Sequence, residues 1–247
     1  MTEREKVIEV EGLVKKFGSF VANDHLTFDV YKGEIFGFLG ANGAGKTTAI
    51  RILCGLSRPT SGRVMVAGID ASRPEEIKKR IGYMSQRFSL YEDLTVTENI
   101  ELYGGIYGMT MKEIRPRTAM LLRKLNFTEY GDILIKSLPL GLRQKLAFAV
   151  AVFHDPEIVF LDEPTSGVDP ITRRQFWEMI YETASRGITV FVTTHYMDEA
   201  EYCDRVTIMS EGRIVALDSP ASLRIMYGTS SIEELFVKIT RPQKEKV

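Results

Sequence analysis

The sequence predicts an α/β fold: a parallel sheet covered by helices, an amino-terminal antiparallel β subdomain and an inserted helical lobe. Three observations carry that reading. A mostly apolar run at 34–39 feeds a glycine-rich loop and then a helical pattern. A second apolar run, at 158–161, ends in the adjacent carboxylates Asp162 and Glu163. Between them, from about 94 to 153, the apolar spacing switches to helical periodicity.

In chain order, residues 7–14 and 26–30 alternate in part between apolar and polar, as antiparallel strands do. Lys32-Gly33-Glu34 is a turn before the buried strand 34–39, and 46–54 is the helix leaving the glycine-rich loop. Ser61-Gly62 turns into a short strand at 63–66, and 81–84 is another apolar strand, ending at Ser85-Gln86. The lobe reads as three helices, at 95–107, 112–125 and 142–153. Strands return at 158–161, 189–193 and 206–209, with a helix at 171–186 among them. Glu211-Gly212 is a hairpin turn into 213–217. The whole reads as one domain over 1–247, with its core at about 1–93 and 154–217, the lobe at about 94–153 and a tail at about 218–247. Residues 231–238 suggest a last amphipathic helix, and 241–247 a charged, frayed end.

Composition bounds the function. The 247 residues are 44% hydrophobic and 26% charged, the proportions of a globular chain with a sizeable core. A formal net charge of -1 argues against a broad grip on nucleic acid, and no nucleic-acid partner is expected. Cys54 and Cys203 are too few and too isolated for a disulfide framework or a zinc site, so a reduced, cytosolic setting is expected. No apolar run approaches the ~20 residues that span a bilayer, and 1–6 lacks the apolar core of a signal peptide. Work at a membrane is therefore expected to go through a partner.

The loop Gly40-Ala41-Asn42-Gly43-Ala44-Gly45-Lys46-Thr47 fits the spaced pattern of a phosphate cradle. Its glycines let the backbone wrap closely around an anion, and the following helix aims its free N–H groups and positive dipole end at the same spot. Lys46 supplies charge for the β- and γ-phosphates, Thr47 a hydroxyl for Mg²⁺, and Thr48 follows in the same helical turn. The arrangement resembles the core of a P-loop NTPase. Burying a strand that ends in two carboxylates is costly unless a metal or a reacting phosphate waits there. Asp162 fits the Mg²⁺ side through coordinated water, and Glu163 faces the attacking water as general base or water-orienting group.

Here the chain resembles a known family. The cradle, the run Leu161-Asp162-Glu163-Pro164-Thr165-Ser166-Gly167-Val168-Asp169 and Val192-Thr193-Thr194-His195 are similar to the nucleotide-binding subunit of ABC transporters, in the expected order over nearly the whole chain. That family sandwiches two ATP molecules between two such subunits, head to tail. The resemblance implies that Gln86 contacts Mg²⁺ or water and reports nucleotide state to the membrane partner. It implies that His195 contacts the γ-phosphate, that Asp169 acts across the dimer interface and that Phe17 stacks on adenine. Taken singly, each of these residues also suits ordinary capping or packing.

One stretch departs from the family. Where it reads Leu-Ser-Gly-Gly-Gln before the lobe's long helix, this chain has Leu138-Pro139-Leu140-Gly141-Leu142. Pro139 has neither hydroxyl nor N–H, but proline suits a first helical turn. Two outcomes stay open: the amides of Leu140, Gly141 and Leu142 still reach the ATP of the other subunit, or that half-site is inactive. Phe88, Leu90, Tyr91 and Leu94, with Tyr103 and Tyr107 nearby, are expected to divide, some receiving a membrane subunit and about half packing the lobe on the core.

The resemblance implies an ATP hydrolase with ATP and Mg²⁺ as cofactors. Its partners would be a second cassette, this chain or a paralogue, and an integral membrane permease. It would sit peripherally at the cytoplasmic face and power a transporter by ATP-dependent dimer closure. The tail is similar to the drug- and polysaccharide-export branch of daunorubicin-resistance type. A soluble ABC-type ATPase of nucleic-acid repair or translation, and a nucleotide-sensing cassette with weak turnover, remain the alternatives.

Overall fold

Two sheets are built on one continuous chain, and the computed structural model describes residues 4–86 and 90–240. Phe88 and the charged end at 241–247 lie outside the described residues. Strands β1 (Lys6–Phe17) and β2 (Phe20–Tyr31) form an antiparallel hairpin. After β3 (Ile35–Gly40), β4 (Ser61–Val66) and β5 (Ile69–Asp70) complete a four-stranded sheet of order β2-β1-β4-β5. The main sheet contains β6 (Ile81–Met84), β7 (Ile158–Asp162), β8 (Thr189–Thr194), β9 (Arg205–Ser210) and β10 (Arg213–Asp218) in the order β10-β9-β3-β8-β7-β6. All its pairings are parallel except that of β10 with β9. Every residue of β3, β7 and β8 is buried, as central strands covered on both faces require.

Alternation along these strands divides the core in two. Phe36, Phe38, Phe160 and Phe191 point toward the antiparallel sheet, where Phe28 of β2 joins them with ring centroids 5.2 to 6.3 Å apart. Helix α1 (Lys46–Leu53) shares that cluster, with Ile77 of the short helix α2 (Pro74–Lys78). Their neighbours Leu39, Val159, Leu161, Val190 and Val192 belong to the opposite cluster. It holds residues of the lobe helices α3 (Val96–Ile106), α4 (Met111–Lys124) and α5 (Leu140–Ala151), and of α6 (Pro170–Ser185). Thr95 opens α3 with a capping box to Glu98, and Asp169 caps α6 ahead of Pro170. The far end of α5 is seated on β6: a Cβ added to Gly82 would lie 1.9 Å from the Ala151 carbonyl oxygen.

Several boundaries differ from expectation. Ser61 and Gly62 are strand residues, because Ser61 pairs with Val14 across from β1. Helix α5 starts at Leu140, two residues earlier than its apolar periodicity suggests, because Pro139 stands at the N-cap with φ -55° and ψ 148°. Pro139 is thus outside the first turn. Short α2 and α7 (Pro220–Tyr227) each begin at a proline and are too short for a helical apolar period to announce them. Helix α8 (Ile232–Thr240) contains the amphipathic stretch expected near the end. Among the described residues, no helix is long and apolar enough to cross a membrane.

Candidate functional site

The glycine-rich loop leaves β3 at Gly40 and enters α1 at Lys46. Gly45 is the helix N-cap, with φ 101°, and a Cβ there would lie 2.4 Å from the Ala22 carbonyl oxygen. No other residue fits that turn. Asn23, fully buried in β2, donates from Nδ2 to the Gly45 carbonyl at 3.1 Å and holds the loop from beneath. Ala41, Asn42 and Gly43 are exposed, Ala44 is buried, and Thr47 and Thr48 occupy the first turn of α1.

Lys46 is buried and curls back over the loop. Its Nζ donates to the Gly40 carbonyl at 2.7 Å and the Ala41 carbonyl at 3.2 Å, and lies 3.4 Å from Glu163 Oε1. Burial lowers its pKa, and the nearby Glu163 carboxylate opposes that shift. On the facing strand end, Asp162 Oδ1 accepts from Thr193 Oγ1 at 2.7 Å and Thr47 Oγ1 at 3.3 Å. Burial raises the Asp162 pKa while these two hydroxyls pull it down.

Glu163 is the meeting point. Its Oε2 accepts from Gln86 Nε2 at 2.9 Å and lies 3.1 Å from His195 Nδ1, while Oε1 faces Lys46. Its own backbone is at φ 49°, a left-handed conformation that costs a non-glycine residue energy. The Glu163 N–H donates to the Thr193 hydroxyl at 3.0 Å, and also contacts the Thr193 carbonyl at 3.2 Å, which holds that conformation in place. The fold thus gathers Lys46, Thr47, Gln86, Asp162, Glu163 and His195 from four segments. Thr193, which braces both carboxylate residues, lies in the Val192–His195 run, and its signal was a hydroxyl directly after the apolar stretch 190–192.

Asp169 and Gly141 sit in a second cluster. Asp169 Oδ1 accepts from the Ile171 and Thr172 amides, and Oδ2 from Thr172 Oγ1 at 2.6 Å. Those bonds, the Thr172 hydroxyl first, hold its pKa below the ordinary carboxylate value. Gly141 lies against the same threonine, since a Cβ there would meet Thr172 Cγ2 at 2.9 Å. Gln144 Nε2 donates to the Ser166 carbonyl at 3.1 Å, so the start of α5 and the segment before α6 are held together. Phe17 stands apart at the end of β1, 55% exposed, with the Lys15 ammonium 5.0 Å from its ring centre.

The expected membrane-facing group divides. Leu90 is core, and Tyr107 stacks on His154 at 3.6 Å, because both fill the joint between lobe and sheet. Tyr91 is exposed beside Tyr103, and Leu102, Ile106 and Met111 extend the list of exposed apolar residues on α3 and the start of α4.

Comparison with known proteins identifies the family. The family model described as ABC transporter matches residues 23–166, more than half of the chain. A probable multidrug ABC transporter ATP-binding protein, YbhF of Escherichia coli (strain K12), is 43% identical over 244 residues. That match covers 96% of this chain and 42% of YbhF, so the chain spans less than half of that relative. The daunorubicin resistance ATP-binding protein DrrA2 of Streptomyces coeruleorubidus is 37% identical, over 92% of this chain and 71% of DrrA2. Among solved structures, an ATP-binding cassette captured as a dimer after hydrolysis, with ADP and Pi, superposes with a TM-score of 0.78. It is 25% identical and aligns over 86% of this chain and 98% of its own. A phosphate loop, a paired strand-end carboxylate and a family match that spans both leave one conclusion: the chain belongs to the ABC transporter family, as one of its ATP-binding cassettes.

Proposed function

We propose that this cassette binds and hydrolyses ATP and powers an exporter through a separate membrane permease, closing as a dimer around two nucleotides. One observation carries the reading: Lys46, Gln86 and His195 converge on the Glu163 carboxylate at the mouth of the phosphate loop. Donors arranged around a carboxylate are also placed to surround a phosphoryl group and its attacking water.

The loop amides and the α1 N-terminus hold the β- and γ-phosphates, and Lys46 turns from the Gly40 and Ala41 carbonyls to them. Phe17 offers its exposed ring to adenine. Glu163 orients water and takes its proton as the water oxygen bonds to the γ-phosphorus and the bridge to the β-phosphate breaks, leaving ADP and Pi. His195 holds a γ-phosphate oxygen, and Gln86 senses the same group from the end of β6. The residues present also suit Mg²⁺: the Thr47 hydroxyl and Asp162 carboxylate are hard oxygen donors 3.3 Å apart, and the Gln86 side chain adds a third. When bound, Mg²⁺ neutralises charge on the phosphates. Gly141 and Asp169, with the amides of Leu140 and Leu142, face the nucleotide of the second subunit.

The exposed side chains of Tyr91, Leu102, Ile106 and Met111 offer the permease an apolar seat. The names of the relatives, a multidrug and a daunorubicin-resistance protein, support an exporter. Phosphate release from ATP tests the enzyme: Lys46→Ala should abolish it, and Glu163→Gln should slow it by about 10²–10³-fold. A parent no faster than Lys46→Ala refutes the reading. Co-purification with a membrane protein, weakened by Ile106→Glu, tests the coupling.

A further inference from the structure

Glu199 is fully buried, yet it takes no part in the chemistry described above. Each of its oxygens accepts a short hydrogen bond from a different loop of the site. Oε1 accepts from Thr165 Oγ1 at 2.6 Å, and Oε2 from Thr194 Oγ1 at 2.6 Å. Thr165 lies two residues after Glu163 and four before Asp169, and Thr194 directly precedes His195. The charge is balanced from α6, where Arg173 Nε stands 3.6 Å from Oε1. The same guanidinium lies 3.9 Å from the centre of the Tyr196 ring, the residue after His195.

A buried carboxylate is costly unless paired and hydrogen-bonded, and removing one partner leaves that cost exposed. Here every partner sits on a segment that carries a site residue. In sequence Glu199 belongs to an acidic run, Asp198-Glu199-Ala200-Glu201, which resembles a solvated surface. The one-turn element Asp198–Tyr202 instead turns Glu199 inward.

We propose that Glu199 is a positioning residue for ATP turnover, a brace that fixes the His195 loop to the segment between Glu163 and Asp169. The proposal rests on the assignment of Glu163 and His195 to hydrolysis. Through Glu199, displacement of the intersubunit segment reaches the histidine at the γ-phosphate, and the reverse. Arg173 serves as its counter-charge, tying the start of α6 into the same unit.

The test uses the full chain and the variants Thr165→Val, Thr194→Val, their combination and Thr165→Ser. Three histidines make the His195 ring resonance assignable by NMR with a His195→Gln control. Without nucleotide, Thr165→Val should displace that resonance, the double variant should move it no further than the larger single change, and Thr165→Ser should restore it. With ATP, each valine variant should lower kcat about tenfold and leave KM within about twofold, the pattern of lost positioning rather than lost binding. Folded valine variants whose His195 resonance stays put, or whose effects simply add, overturn the proposal, as does an unchanged kcat. A parent with no more turnover than Lys46→Ala would refute the hydrolase assignment instead, and the resonance comparison would still decide the brace. Glu199→Gln is the harsher variant, and the threonine series decides the matter if it does not fold.

Discussion

Asp162 shows how a site residue weakens the fold that holds it. Burial raises its pKa despite the bonds from Thr193 and Thr47. A carboxyl whose folded pKa lies above its unfolded value binds its proton more tightly in the folded chain. Its contribution to stability is therefore fully present below the unfolded pKa and is lost as pH rises through the folded one. Asp162→Asn keeps an acceptor for both hydroxyls and removes the charge. In nucleotide-free protein at about pH 8 it should raise the melting temperature by ~2–4 °C, the shift that about 1 kcal/mol gives a chain of this size. The gain should fade as the pH drops into the ordinary carboxylate range. Calorimetry across that range checks it, and a gain that ignores pH would contradict the assignment. Turnover should be lost in the same variant, separating what stabilises from what works.

At the scale of an element, α5 carries the chain's main departure from its family. Pro139 caps the helix without a side-chain acceptor, and the amides of the first turn, from Leu140 onward, have no intrahelical partner. Pro139→Ser adds a hydroxyl at the N-cap, where serine stabilises by ~0.5–2 kcal/mol over a non-capping residue. Losing the proline's restraint on the unfolded chain offsets about 0.4–1 kcal/mol of that. The melting temperature should accordingly change little. Turnover at saturating ATP should rise several-fold, because the hydroxyl gives the second subunit's phosphate another donor. A constant or lower kcat would show that the proline loop is already adequate. The proline was plain in the sequence; its place outside the helix was not, because apolar spacing in this buried helix does not mark where the backbone turns.

For the whole molecule, the expected consequence is assembly. Gly141 and Asp169 contact the same threonine, so both surfaces assigned to the second nucleotide are presented as one unit. Glu163→Gln keeps the hydrogen-bonding shape and removes the base, so ATP should drive it into a stable dimer in sedimentation runs. A monomer at saturating ATP argues for an inactive half-site or a different partner cassette. Central strands, the phosphate loop and the carboxylate pair were legible because long apolar runs and glycine spacing are local signals. The full length of β1 and β2 was not, because their bulged register breaks the alternation outside 7–14 and 26–30, and neither was the brace at Glu199. Thr165 and Thr194 lie 34 and 5 residues from Glu199, and only folding puts them on one carboxylate.

The seat of α5 on β6 has a mechanical consequence. The twelve residues of α5 run from the turn assigned to the second subunit to the turn pinned at Gly82, an arm of ~18 Å. A tilt of ~10° about the pinned end sweeps the free end by ~3 Å, the length of a hydrogen bond. The helix is thus a lever whose fulcrum lies on the sheet. In the proposed dimer, a rotation small enough to leave the strands in register would suffice to connect or disconnect the opposite nucleotide. The fulcrum is only as sharp as the missing methyl at Gly82 allows.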